Sequence, residues 1–481
     1  MKTQSWRLVR PWLLGLATLA LASAPTLAQA SPVVRSGPFI ENATPTAPSF
    51  MSSEAPPKSP SVSPGKLTLD QCLELGFRHQ PAIDAARASL AAAESGKRGV
   101  DRLILPRLFR PDLPIRREQA CHGVTIAAAG LTQAEWETRY AIMRNFFTVQ
   151  YVNAQDEVVS DVLESLEKGY ARAKSLFGSG DVEVKIKSVD LETIRVQLGI
   201  VKTKHSQVRA GREKALAALR EAMGLAPDYP LEIASVPLPP ATYVVRGPEL
   251  DDKGKPVMKD GKVLEKDYFH ILYPLTSQKL ALIDAAVANR GEMIQASTAS
   301  RITDLEVQAQ RRVRGLFADT FAAGADLHAK PIPQGMFNGE YRPGAIGPEF
   351  PVKLIGRMRD RVQRASDFSV RATAVVEKAT SLASLDVEAQ YFKWVEAAEE
   401  VKDLREILPI AKSLPKRVQD LAPKEFTSSA LIQANVTSVM VRTQLNDAEH
   451  THALALAGLE RATAGAFRVY PVPAPPASMP K

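Results

Sequence analysis

The sequence predicts a mainly α-helical protein with two tandem repeats, each a very long antiparallel coiled-coil helical hairpin, and with short, degenerate β segments. An apolar seam that steps alternately by three and four residues occurs in both halves, and Leu198 of the first copy corresponds to Leu445, 247 positions later. Both copies place a histidine at the same phase of the seam, His205 and His452. A composition of 24% charged and 6% aromatic residues suits long, surface-rich helices better than a compact enzyme core.

A second pair of segments indicates the same duplication. Gln80-Pro81-Ala82-Ile83 opens one helical pattern and resembles Arg290-Gly291-Glu292-Met293, which opens another. The patterns and the proline-rich stretches divide the chain into a signal peptide (1–30), a proline-rich disordered tail (31–65), a first repeat (66–227), an inter-repeat connector (228–275), a second repeat (276–467) and a proline-rich tail (468–481).

Residues 1–30 are predicted to be an export signal. Lys2, Arg7 and Arg10 form a basic start, an apolar run follows, and Ala28-Gln29-Ala30 is a small-x-small cleavage site. The apolar run is about a dozen residues, shorter than the roughly 20 that a membrane-spanning helix needs. Without this signal the formal net charge falls from +8 to +5, a mild excess that does not require a nucleic-acid partner.

The first repeat is predicted to hold three helices. The first covers 68–98 with a break at Pro81, and the second is very long and begins near Thr132. Gly178-Ser179-Gly180-Asp181 is expected to end it, because glycine tolerates the left-handed conformation of a helix cap. A third helix returns over about 184–223, so the pair forms a hairpin with its tip near 178–182.

The second repeat follows the same plan. Helices are expected over about 277–317, 353–413 and 428–466, with the hairpin tip near 421–427. The connector between the repeats is predicted to be a small exposed β-hairpin, with turns at Lys253-Gly254 and Asp260-Gly261.

A single long helical hairpin of this kind cannot bury enough of its apolar surface by itself. Each hairpin must lie against other hairpins, so we expect the chain to oligomerise. Two similar hairpins per chain allow three chains to close a ring of six quasi-equivalent hairpins. A ring of rods is a tube, and a tube in an exported protein suggests a conduit.

The chain resembles the TolC family of outer-membrane efflux proteins, the trimeric exit ducts of tripartite drug-efflux and type I secretion systems. The resemblance covers most of residues 66–467 and combines the duplication and the signal peptide with four segments: LTLDQCLELGFRHQPAIDAARASLAAAESG at 67–96, ALAALREAMGL at 215–225, LALIDAAVANRGEMIQAS at 280–297 and LALAGLERATAGAF at 454–467.

The resemblance implies a homotrimer in the outer membrane with a large periplasmic helical part. It implies two strand pairs, which would fall at about 104–130 and 323–351, where prolines and charges interrupt the strand pattern. It also implies that the hairpin tips contact a periplasmic adaptor protein, which links the duct to an inner-membrane pump. No cofactor is implied.

The two tips are therefore the expected gate and adaptor-contact positions. Exposed apolar residues at a hairpin tip invite a partner, although glycine and proline there are also explained by turn geometry. The candidate residues are Phe177, Gly178, Gly180, Asp181 and Val182 at the first tip, and Leu421, Pro423, Phe426 and Thr427 at the second.

Other residues carry two interpretations each. His205 and His452 could line a lumen or sense pH, but the favoured interpretation is that they pack between helices. His450 and His452 are two positions apart on a helix and face different sides, which disfavours a metal site.

Cys72 and Cys121 lie in no motif that fixes a disulfide between them. The arginines 357, 359, 361 and 364 are expected on a solvated face or in interhelical ion pairs.

No enzyme motif was found: the sequence holds no phosphate-binding glycine loop, nucleophile elbow or zinc-ligand spacing. The function expected from the resemblance is export of small molecules or proteins through a passive, gated duct. The alternative is a periplasmic coiled-coil structural protein, related to the ducts but without a pore, and weak strand segments favour it.

Overall fold

The structure is a computed structural model. It describes residues 66–103, 110–178, 188–248, 255–259, 262–263, 265–272, 279–314, 317–321, 353–420 and 428–468, which belong to one compact unit. The predicted signal peptide, the tail at 31–65, both predicted connector turns (Lys253-Gly254 and Asp260-Gly261), the segment 323–351 and residues 469–481 lie outside these residues.

The first repeat consists of four helices: α1 (Leu69–His79), α2 (Pro81–Asp101), α3 (Leu113–Gly178) and α4 (Ser188–Ala222). Thr68 starts α1 with a capping box, in which its hydroxyl accepts from the Gln71 N–H and the Gln71 side chain accepts from the Thr68 N–H. Pro81 occupies the first position of α2, where its missing N–H costs no helical bond. With 66 residues, α3 is roughly 100 Å long.

The second repeat has the matching helices α5 (Lys279–Asn289), α6 (Gly291–Arg312), α7 (Met358–Gln419) and α8 (Ser428–Ala462). The predicted single helix over 277–317 is wrong, because the chain is extended at Arg290 and divides it into α5 and α6. The break matches the one at Gln80 between α1 and α2, so the pairing of these two segments is confirmed. Pro409 and Pro415 lie inside α7, near its tip end.

Within the described ranges, the strands form three short antiparallel pairs. In the connector, β1 (Thr242–Pro248) pairs with β4 (Glu265–Ile271), and β2 (Met258–Lys259) pairs with β3 (Lys262–Val263) between them. This is the predicted connector hairpin. In the second repeat, β5 (Phe317–Asp319) pairs with β6 (Lys353–Ile355) on either side of residues 322–352. A mainly α fold of long antiparallel helices with short β segments is therefore confirmed.

The four long helices lie side by side in the order α4, α3, α8, α7. Each of these neighbours is packed along much of its length, and α4 and α7 form the two edges of the layer. The largest core lies where the short helices meet the layer, and it includes Phe146, Phe147, Leu219 and Met223. Helices α3 and α8 therefore each have a packed neighbour on both sides within the layer, whereas α4 and α7 each have one side without a neighbour in the layer.

A buried ionic cluster joins the helices of the second repeat. The Asp386 carboxylate of α7 accepts from Arg290, at the α5–α6 break, and from Arg461 of α8, at 2.9 Å each. Arg290 also pairs with Glu292 at 3.3 Å, and Arg461 with Glu137 of α3 at 3.3 Å. The adjacent carboxylates raise the pKa of Arg461 despite its burial. The cluster therefore links α3, α6, α7 and α8 and fixes their relative positions.

The long helix of the first repeat begins earlier than predicted. The sequence placed its start near Thr132 and a strand pair at 104–130, but residues from Leu113 onward are helical. Arg116 explains this helical start: it bonds Asp112 one turn before it at 3.0 Å and the buried Glu306 of α6. These contacts tie the first turns of α3 to α6, and the strand prediction is wrong from Leu113 onward.

The offset between the repeats is also corrected. Helices α4 and α8 end 240 positions apart, Ala222 matching Ala462. The predicted offset of 247 differs from this by one heptad, which leaves the seam phase unchanged. Consequently His452 corresponds to Arg212 and not to His205.

One arginine of the 357–364 run is not on the surface. Arg361 is buried and donates to the Gln310 side chain at 3.1 Å and to the carbonyls of Val313 and Gly356 at 2.9 Å each. It therefore joins the end of α6 to the start of α7. The other three arginines are exposed, as expected.

No helix in the described part of the chain combines the length and the hydropathy that spanning a bilayer would require. Both cysteines are free thiols, with Cys72 buried and Cys121 exposed.

Candidate functional site

The helix ends that lead into the two hairpin tips lie together at one end of the layer. Of the predicted tip residues, Phe177 and Gly178 are the last described residues of α3, and Phe177 is 52% exposed. The remaining seven lie outside the described residues: Gly180, Asp181, Val182, Leu421, Pro423, Phe426 and Thr427. The helix ends that lead into both tips are described, and the site is built from them.

A common apolar cluster holds the tip ends of the four long helices. Its buried members come from α3, α4 and α8, namely Val162, Leu166, Ala173, Ile194, Leu198 and Leu431, and Val418 of α7 packs against them. Both hairpins contribute to one cluster, so the helix ends that lead into the tips pack against one another within the chain.

The closest approach in this cluster is between Gly169 and Leu431. A Cβ added at Gly169 would lie 2.3 Å from Leu431 Cδ2. Glycine at this position therefore lets α8 approach α3 more closely than any larger residue would allow. Sequence reasoning missed Gly169; the signal that could have indicated it is a glycine inside an otherwise well-formed helix.

Two polar links also join the hairpins near the tips. The Gln419 amide of α7 donates to the hydroxyl and the carbonyl of Ser165 in α3, at 3.1 and 3.3 Å. Arg442 of α8 pairs with Asp161 of α3 at 2.6 Å. Sequence reasoning missed these residues, because the partners are more than 250 positions apart and no local motif marks them.

His205, His450 and His452 lie farther from the tips along the long helices. His450 stacks on Tyr151, with ring centroids 4.6 Å apart, while His452 accepts the Trp394 indole N–H at 3.1 Å. They therefore face different helices, as the spacing predicted. Burial lowers the pKa of each to about 4. His205 is half-buried, with Nε2 3.3 Å from Asp156.

A carboxylate lies beside His450 in the same layer of side chains. Asp447 accepts the Tyr151 hydroxyl at 2.6 Å, and burial raises the pKa of both groups. Burial and the neighbouring carboxylates raise the pKa of Glu400 as well. Tyr151 of α3 contacts both Asp447 and His450 of α8, so these three side chains form a packed polar layer between two helices.

No protein-family model matches the sequence, and no curated protein matches it. Solved structures do match. The outer-membrane channel OprN is 13% identical, with a TM-score of 0.59 over 82% of this chain and 90% of OprN. The open state of the Neisseria gonorrhoeae MtrE outer membrane channel is 14% identical, with a TM-score of 0.57 over 89% of this chain and 97% of MtrE.

The Campylobacter jejuni CmeC outer membrane channel agrees as well, at 10% identity and a TM-score of 0.53 over 88% of this chain and 95% of CmeC. At these identities the likeness establishes the fold. The chain has the fold of the TolC-family outer-membrane channels over most of its length, as the resemblance implied.

Proposed function

We propose that this chain is a subunit of a trimeric outer-membrane duct that exports small molecules or proteins and performs no chemistry of its own. The observation that carries the proposal is the single layer of four long helices with two unpartnered edges. The shared fold and the export signal expected at 1–30 support it. In this function an inner-membrane pump supplies the energy, and a periplasmic adaptor contacts the tips.

Both edges expose apolar side chains on one helical face. On α4 these are Val189, Val196 and Ile200, with Val196 61% exposed; they fall within about 40° of one another around the helix. On α7 they are Val370, Leu385, Phe392, Ile407 and Ile410, with Phe392 57% exposed. Burying such stripes against another chain is favourable by about 25 cal/mol per Å².

The two edges are different surfaces, so one copy presents α7 to the α4 of the next. A head-to-tail contact of this kind closes into a ring when its rotation fits. Three copies give twelve long helices around the axis. The packed tips then form the gate, and an adaptor that binds the separated tips better than the closed ones shifts the equilibrium toward opening.

Edge substitutions test the ring. Val196→Lys on α4 and Phe392→Lys on α7 place a charge in the proposed interface, so each is expected to convert the trimer to monomers in sedimentation velocity. Met440→Lys is the matched control, because Met440 is exposed on α8, which has neighbours on both sides. A purified wild-type chain that is monomeric at all concentrations would contradict the proposal.

The second candidate is a periplasmic structural protein without a pore. The helical start of α3 at Leu113, within a segment where the resemblance implied strands, favours it. Cell fractionation and planar bilayers separate the two functions. A duct is extracted from the outer membrane by detergent and conducts ions, whereas a structural relative is released with the periplasm and does not.

A further inference from the structure

The connector crosses the layer of helices from one edge to the other. After α4 it passes α3, where Gln150 donates to the Ala234 carbonyl at 2.6 Å, and then α8, where His452 lies against the Pro239 carbonyl. It reaches α7 at Thr242, which accepts from Arg405 at 3.0 Å. The β1–β4 hairpin therefore starts on α7, the edge helix on the far side of the layer from α4.

Among the described residues, the base of this hairpin packs on α7. Ala241 and Ile271 pack against Ala398 and Val401 of α7. Farther out, three apolar side chains are exposed: Val244 (49%), Met258 (62%) and Val263 (46%). A two-stranded hairpin with exposed apolar residues is marginally stable by itself, so this one needs a surface to lie on.

A row of side-chain hydrogen bonds and ion pairs crosses the layer at a single position along the helix axes, here called its height. Arg212 of α4 bonds Asn153 of α3 at 3.1 Å, and Tyr151 of α3 bonds Asp447 of α8 at 2.6 Å. Glu449 of α8 then accepts from Arg405 at 2.7 Å, and Arg405 holds the hairpin base. The hairpin at the α7 edge thus lies at the height of Arg212 at the α4 edge.

If the ring axis runs parallel to the helices, rotation from one copy to the next leaves the position of each residue along that axis (its height) unchanged. The hairpin of one copy therefore faces the next copy's α4 near residue 212. Gly211 lies there, eleven positions and three turns after Ile200, on the same side of α4 as the exposed apolar stripe. A Cβ added at Gly211 would meet no atom of its own chain within 4 Å, so this side of α4 is open to close approach.

We propose that the β1–β4 hairpin crosses the seam between two copies and packs on α4 of the neighbouring copy around Gly211. The hairpin is then a clasp at mid-height of the ring, and its exposed apolar residues are covered by a second copy of this chain. The inference rests on the proposed ring and specifies which surfaces meet in it.

Cysteine cross-linking between two differently tagged full-length chains tests the clasp. One chain carries Val244→Cys and the other Gly211→Cys, both in a Cys121→Ser background; Cys72 stays, because it is fully buried. Both substitutions are at positions with free space, so both chains are expected to fold. The matched control replaces Gly211→Cys by Val189→Cys, on the same side of α4 but roughly 33 Å farther along it.

With a short bis-maleimide, the Val244–Gly211 combination is expected to give roughly tenfold more cross-linked heterodimer than the Val244–Val189 combination, since effective concentration falls steeply with distance. Sedimentation of the same samples reports the ring. A trimer in which both combinations cross-link equally, or neither does, overturns the clasp and leaves the proposed function standing. A monomer overturns both.

Discussion

Gln419 of α7 donates its side-chain amide to both the hydroxyl and the carbonyl of Ser165 in α3, at 3.1 and 3.3 Å. This pair joins the tip end of one hairpin to the other across 254 positions of sequence. Separation of the tips must break it, so its strength contributes directly to the closed state of the proposed gate.

Gln419→Ala is expected to favour the open tips. It removes two hydrogen bonds at a partly buried position, a loss of about 1 kcal/mol, which raises the ratio of open to closed tips by about fivefold. Single-channel recording in planar bilayers measures that ratio. Gln433→Ala is the control, since Gln433 is an exposed glutamine of α8 near the same tip. Equal effects of both substitutions would show that Gln419 has no special role.

The closest helix approach at the tips gives a second prediction. Gly169→Ala forces Leu431 away from α3, because the new Cβ would lie 2.3 Å from Leu431 Cδ2, and overpacking of this kind costs about 1–3 kcal/mol. Gly199→Ala on α4 meets no atom within 4 Å and is expected to stabilise the helix by up to about 1 kcal/mol. The midpoint temperature of thermal unfolding should therefore fall in Gly169→Ala and rise in Gly199→Ala.

Leu431→Ala in the Gly169→Ala background provides a further check. It removes the side chain that collides with the new Cβ, so the double variant should lose less stability than the two single losses added together. Strict additivity would show that the two residues do not compete for the same space.

Asp386 gives a third prediction, on stability. Asp386→Ala leaves the Arg290 and Arg461 guanidinium groups buried without their shared carboxylate, and loss of one partner of a buried pair costs about 3–5 kcal/mol. Glu388→Ala is the control two positions later in α7. Glu388 pairs with Lys279 at 2.8 Å, but both side chains are about a third exposed, so less than about 1 kcal/mol is expected. Urea denaturation at constant chain concentration compares them, and equal losses would contradict the buried-cluster interpretation.

His452 gives a fourth prediction, on pH dependence. Its pKa is lowered to about 4, whereas an unfolded histidine titrates near 6.5, so between these values the unfolded chain binds the additional proton. Stability therefore falls as the pH drops from about 6.5 toward 4, and one such histidine costs about 2 kcal/mol between pH 7.5 and 5.

His452→Gln keeps an acceptor for the Trp394 N–H and removes the titration. Its denaturation midpoint should decline less than that of the wild type between pH 7.5 and pH 5. His205→Gln, at a half-buried position, should retain the wild-type decline. Parallel pH profiles for the wild type and His452→Gln would refute this assignment.

The elements that the sequence predicted well are those governed by local chemistry. Pro81 separates α1 from α2 because a proline is accepted at a first helical position and rejected inside a helix. The connector hairpin forms between the repeats, as predicted. The matching break at Arg290 shows the limit of such signals: no proline marks it, and only its likeness to Gln80 indicated it.

The elements that sequence reasoning missed depend on partners far along the chain. A seam with a period of seven residues has the same phase after a shift of one heptad, so periodicity could not distinguish an offset of 247 from the observed 240. Arg361 occupies an inward position four residues before the buried Ala365, a phase that periodicity could have identified. Its bonds to Gln310 and Val313 could not have been identified in this way.

The sequence by itself determined the fold class, the duplication and the start of α2 at Pro81, because helix formation and capping are decided within a few residues of each position. Only the tertiary structure decided which helices are neighbours, where α3 begins, and that Ser165 and Gln419 meet at the tips. Those outcomes depend on which surfaces the folded chain brings together, and that is a property of packing between residues that are distant in sequence.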